Sequence, residues 1–174
     1  MPIPARLRPP DLDAEEVHRF CGLCDDIETG VIDGADVSAL LAKWNARANR
    51  RYQPREFADY YGATDKLAFV SEALLPRPTR LDDLRADEVL SVLEDVRNAT
   101  LPEQYNSYFL TWLDVQFPNA DVSDLIYWPD QWFDVSEALD EDLSAAQLLC
   151  ALMERTGRKL PGAVHVELPW PVPK

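Results

Sequence analysis

Leu84-Arg85-Ala86-Asp87-Glu88-Val89 is the stretch whose reading decides the fold, because its pattern occurs twice in the chain. Val92, Leu93 and Val96 follow it at the spacing of one helix face. At an offset of 72 (84 − 12), Leu12-Asp13-Ala14-Glu15-Glu16-Val17 has the same order, with Phe20, Cys21 and Cys24 where Val92, Leu93 and Val96 stand. Asp13-Ala14-Glu15-Glu16 has the form of a capping box. A first helix is therefore predicted from about 14 to 29, with Gly30 as its C-terminal stop, and the quoted stretch opens an equivalent helix.

Working outward, Asp33 is read as the cap of a second helix with the stripe Val37, Leu40, Leu41 and Trp44, ending near Asn49. Tyr52-Gln53-Pro54 marks a turn, Phe57-Ala58-Asp59-Tyr60-Tyr61-Gly62 a short segment, and Thr64 the cap of a helix carrying Leu67, Phe69, Val70 and Leu74. Leu75-Pro76-Arg77-Pro78-Thr79 cannot be helical through its prolines and reads as a linker. Beyond the quoted stretch, Pro102 suits the first turn of a helix bearing Tyr105, Tyr108, Phe109, Trp112, Leu113 and Val115. The Tyr127-Trp128 segment then echoes Tyr60-Tyr61. A loop of acids and rings from Asp130 to Asp142, including Trp132-Phe133, leads to a last helix with Leu148, Leu149, Leu152 and Met153, capped by Ser144 and stopped by Gly157.

The only strand signal is Val164-His165-Val166-Glu167-Leu168, which Pro169, Pro171 and Pro173 keep from pairing on both sides. The fold class expected is all-α: two tandem four-helix units over 1–79 and 80–162, each with a one-turn third helix, then an extended Pro-rich tail over 163–174. A period of about 70 residues suggests a tandem duplication.

At 174 residues and 47% hydrophobic, the chain has enough apolar material for a real core. It contains no apolar run of signal-peptide or membrane-spanning length, so a cytoplasmic location is expected, and its three cysteines do not form a disulfide framework. The net charge of −14 argues against nucleic acid and anionic membranes as ligands. Residues 1–79 carry ten basic and thirteen acidic side chains (−3), and 80–174 carry seven and eighteen (−11). Between Arg97 and Arg155 there are eleven acids and no basic residue, a field that favours association with something positive.

Within that acidic tract lies Val122-Ser123-Asp124-Leu125-Ile126-Tyr127-Trp128-Pro129. Adjacent rings cannot both enter a core from one helix, so Tyr127 or Trp128 is expected to face outward, on a short turn capped by Ser123 or Asp121 and ended by Pro129. Such rings bury large areas with few rotamers to freeze.

Phe117-Pro118-Asn119-Ala120-Asp121 followed by this segment, and then by a last helix ending in Arg155-Thr156-Gly157-Arg158-Lys159-Leu160-Pro161-Gly162, resembles the immunity proteins of DNase colicins and S-type pyocins over about residues 81–162. That family consists of small acidic four-helix proteins with a Ser/Thr-Asp-Leu-Ile-Tyr-Tyr-Pro motif on a one-turn third helix. Carried over, the resemblance implies that Ser123, Asp124, Tyr127 and Pro129 match the motif and that Trp128 stands for its second tyrosine. It implies partner binding centred there and a basic toxin nuclease domain as the partner; the acidic tract adds Asp114 and Asp121 as flanking residues that steer encounter. Phe117 replaces the family's histidine, and two extra residues separate Pro118 from Asp124. The first half lacks the motif and holds Arg47, Arg50, Arg51 and Arg55 in its place, the wrong charge for an acidic inhibitor.

Cys21-Gly22-Leu23-Cys24 has the form of a redox pair, but both thiols fall mid-helix on the apolar stripe rather than at a helix N-terminus. His18 with these cysteines lacks a fourth zinc ligand nearby, and no phosphate-binding loop or nucleophile elbow is present. No catalytic residue, cofactor or metal is expected. The reading is a non-enzymatic immunity protein; the alternative is an α-helical adaptor without a toxin partner.

Overall fold

The computed structural model describes residues 2–62, 64–136 and 142–173, and all regular structure among them is helical. Of the expected loop from Asp130 to Asp142, residues 137–141 lie outside the described set. None of the described helices is long and apolar enough to cross a membrane. The chain folds as two compact units. The N-terminal one is Pro9–Arg77 with Glu103–Tyr105, and the C-terminal one is formed by the chain up to Arg8, Pro78–Pro102 and the chain from Asn106 onward.

The N-terminal unit comprises α1 (Ala14–Ile32), α2 (Ser38–Asn45), α3 (Pro54–Asp59) with a 3-10 turn at Tyr60–Gly62, and α4 (Lys66–Leu74). Asp13 caps α1 by accepting the Glu16 N–H at 2.7 Å, and α2, α3 and α4 all pack on α1. The centre is Trp44, fully buried, with Phe20, Tyr52, Phe57 and Phe69 at ring-centroid distances of 5.3, 5.7, 4.9 and 5.8 Å. Mostly edge-on or tilted contacts of this kind add about 0.5–1.5 kcal/mol each beyond area burial. Cys24 is fully buried in the same core, and burial pushes its thiol up to about 12.

At four positions the structure differs from the expectation. Gly30 does not stop α1 but lies inside it; a methyl added there would stand 2.5 Å from Val37 Cγ1, so the glycine permits close approach. The left-handed residue after the helix is Gly34, at φ +68°. Asp36, not Asp33, accepts the Ser38 N–H at 2.9 Å, and Asp65, not Thr64, caps α4 through the Ala68 N–H at 2.8 Å. In each case the side chain nearer the helix is the one within reach of the free donor. Leu67 is 55% exposed, because α4 buries Ala68, Phe69, Val70 and Ser71 in succession and turns only Leu67 and Glu72 well away from the core.

The C-terminal unit comprises α5 (Ala86–Arg97), α6 (Glu103–Gln116) from Asn106 onward, α7 (Val122–Tyr127), α8 (Pro129–Phe133) and α9 (Ala145–Thr156). The predicted stripe Val89, Val92, Leu93 and Val96 is fully buried, α5 packs on α9, and α7 packs on α8 and α9. Ser144 and Gln147 form the capping box of α9, and Gly157 ends it at φ +70°. Thus Trp132 and Phe133, expected in a loop, belong to α8. The N-terminal unit runs helix, helix, short helix, last helix, whereas the C-terminal unit has two short helices in the third place and five in all rather than the four expected, because Pro129 opens α8 after α7 ends; in both the first helix packs on the last, and the third packs on α1 in one unit and on α9 in the other.

Two distant segments complete this core. Ile3 and Leu7 are buried in it, and Arg6 donates to Glu88 at 2.5 and 2.6 Å and to Asp83 at 2.8 Å. In the tail, Val166, Leu168, Trp170 and Val172 alternate inward, with Trp170 5.6 Å from Phe133 and the Arg155 guanidinium donating to the Pro173 carbonyl.

Gly30→Ala is expected to destabilise the protein by about 1–3 kcal/mol, since the β-branched Val37 cannot rotate its methyl away freely, and Val37→Ala in the same chain should recover most of the loss; denaturant unfolding of the single and double variants measures this. The Arg6 hydrogen bonds hold the Glu88 carboxyl below its ordinary 4.5, against the opposing effect of burial. A carboxyl lowered on folding stabilises the native state above 4.5, and that contribution fades as pH falls through the lowered value. Glu88→Gln should therefore lower the melting midpoint at pH 7 while leaving a smaller difference from the parent at pH 3.

Candidate functional site

After α6 the chain reverses through Phe117, Pro118, Asn119, Ala120 and Asp121. Asn119 and Asp121 occupy left-handed backbone, at φ +61° and +51°, on either side of a fully buried Ala120. Asn and Asp are the non-glycine residues that tolerate this region best. Three hydrogen bonds hold the reversal. The Ala120 N–H donates to the Phe117 carbonyl at 3.2 Å, the Trp132 indole N–H donates to the Ala120 carbonyl at 2.6 Å, and the Val122 N–H donates to Asp114 Oδ1 at 3.3 Å.

Asp121 therefore occupies the N-cap position of α7 without capping it by its side chain; Asp114, reaching from α6, does so instead. Ser123 is an exposed residue within the helix rather than its cap. Val122 and Leu125 are fully buried, which turns Ser123 and Asp124 outward. Trp128 then leaves helical geometry at φ −137°, serving as C-cap of α7 and N-cap of α8. Its N–H donates to the Asp124 carbonyl at 2.8 Å, and its carbonyl accepts from Gln131 and Trp132, both at 3.0 Å.

This kink lets both rings face solvent: Tyr127 is 42% exposed and Trp128 53%. The Tyr127 hydroxyl accepts from Asn106 Nδ2 at 3.3 Å, which ties the ring to α6. Pro129, expected at the binding surface, is buried, because as the first residue of α8 its ring faces the core. Asp114, Asp121 and Asp124 form a like-charged group: crowding of the Asp114 carboxyl by protein, helped by the other two carboxylates, raises its pKa above the ordinary value although the Val122 N–H opposes the change. Arg97, the basic residue that opens the acidic tract, is engaged by Asp142 at 2.8 Å.

The structure thus brings together Asp114, Asp121, Ser123, Asp124, Tyr127 and Trp128, and sets Pro129 behind them. Sequence reading missed Asn106 and Trp132. A proline is a helix opener as well as a helix stop, and that second meaning at Pro129 was the available signal for α8 and for the anchoring indole. Among the described residues no group of three or more His, Cys, Asp or Glu side chains stands in position to hold a metal ion. Comparison with protein-family models, curated proteins and solved structures finds no match for this chain.

Trp132→Phe keeps most of the buried ring but leaves the Ala120 carbonyl without its donor. Loss of stability by about 1–3 kcal/mol is expected, together with faster amide exchange in α7; a variant as stable and as protected as the parent would show that the indole bond does not anchor the turn.

Proposed function

We propose that this chain is an immunity-type protein that binds a basic nuclease domain through α7 and its flanking acids. The observation that carries the reading is the exposed pair Tyr127 and Trp128 on a short helix fastened at both ends, beside Asp114, Asp121 and Asp124 in a tract free of basic residues. The motif resemblance of residues 123–129 supports the same assignment. In this reading the rings supply the buried apolar anchor, and the acids steer a cationic partner into contact. Occupation of the nuclease by a negatively charged body blocks nucleic acid by bulk and by charge.

The two units are read as descendants of one duplicated four-helix unit, with the binding turn kept in the second. The packing of the first helix on the last in each unit and the offset of 72 between Leu12 and Leu84 support this.

The test is binding kinetics against any basic nuclease domain found encoded beside this chain. Truncating Tyr127 or Trp128 to Ala should each cost about 2 kcal/mol or more, mainly through faster dissociation. Asp114→Asn and Asp121→Asn should slow association and flatten its salt dependence while leaving dissociation nearly unchanged; Asn at 114 retains an acceptor for Val122. Unaltered affinity in a folded Tyr127→Ala, Trp128→Ala double variant would overturn the assignment.

A further inference from the structure

Outside α7, another large ring is held open to solvent. Tyr61, on the 3-10 turn after α3, is 56% exposed. Its inner side lies on Tyr60 at a centroid distance of 4.1 Å, and Tyr60 stacks on Phe69 at 4.6 Å and 13°. Phe69 belongs to the Trp44 core, so Tyr61 is the outermost member of a three-ring stack rooted in the middle of the unit. The ring is fixed at its polar end as well, because the Tyr61 and Tyr60 hydroxyls both donate to Glu28 Oε2, at 3.0 and 3.3 Å.

The side of α1 that holds the ring is acidic. Asp25 stands one turn before Glu28 on the same face, and Lys66, which reaches it from α4, is engaged by Asp25. One turn beyond Glu28, Ile32 is 69% exposed and extends the apolar area along the same face. Of the four arginines that give the sequence of this unit the wrong charge, three are paired with their own neighbours, Arg47 with Glu16, Arg50 with Glu56 and Arg55 with Asp59, and Arg51 is exposed.

An electron-rich ring face that is rigid, open and bordered by carboxylates suits a flat cation. A guanidinium can lie on the ring while its N–H groups point to the carboxylates. We propose that Tyr61, with Glu28 and Ile32, forms a second docking surface for a basic protein, one of whose arginines lies on the outer face of Tyr61. Such a surface gives the N-terminal unit a binding role of its own, independent of α7.

The test uses the full-length, nitrogen-15-labelled protein and, as probe, an acetylated and amidated pentapeptide of glycines with one central arginine, beside the same peptide with neutral citrulline. The expected result is that amide shifts concentrate at residues 25–32 and 60–66, disappear with citrulline, and weaken about two- to fivefold in Tyr61→Leu, the share of an exposed cation–π contact. Tyr61→Phe, which keeps the ring, should bind like the parent, and the Tyr127→Ala, Trp128→Ala variant should show the same shifts in this unit. Shifts spread evenly over the acidic residues, equal shifts with citrulline, or titrations unchanged in a folded Tyr61→Leu would overturn the proposal.

Discussion

The display of Tyr127 and Trp128 depends on one buried hydrogen bond, from the Trp132 indole to the Ala120 carbonyl. Two left-handed residues in three positions make a turn that backbone preference alone would not hold, each such position costing on the order of 1 kcal/mol or more. A buried carbonyl without a donor would add to that cost. The indole meets this need from four residues beyond the kink, so the two short helices and the turn form one closed structural loop. Neither α7 nor α8 has the length to be stable alone.

The turn is itself based on a second polar constraint, at the end of α6. Gln116 is fully buried; its side chain accepts the Leu81 N–H at 3.0 Å and donates to the Thr79 carbonyl at 2.8 Å. Arg158 donates to the Gln116 carbonyl at 2.6 Å and also reaches the Leu81 carbonyl. Three separate segments, before α5, at the end of α6 and after α9, are thereby registered against one another with their polar groups paired. Such a network is costly to break singly, since each lost partner strands another buried group.

Where a feature rests on neighbours in sequence, it was legible. The stripe Val89, Val92, Leu93 and Val96, the Ser144 cap and the Gly157 stop all stand as read, because periodicity and end chemistry act within a turn or two. Gly30 was misread because close approach by Val37 and a helix stop leave the same letter. Leu67 was misplaced because α4 packs on more than one side, which breaks the simple stripe. Ile3, Leu7 and Trp170 join a core whose other members lie scores of residues away, which no local pattern encodes. In the site, adjacency called for one outward ring, whereas the exposure of both, which the kink at Trp128 permits, the Asp114 cap and the Asn106 bond are tertiary.

In the function proposed for α7, charge and shape would divide the work of binding: a basic partner would be drawn by the acidic field and retained by the small ring pair that the fold holds open to solvent. Hydroxyl-radical footprinting of the protein, alone and with a basic nuclease domain of the proposed class, reads the ring pair itself. Oxidation of Tyr127 and Trp128 is expected to fall steeply in the complex. Rings that stay as reactive in the complex as in the free protein would contradict a binding surface centred on them.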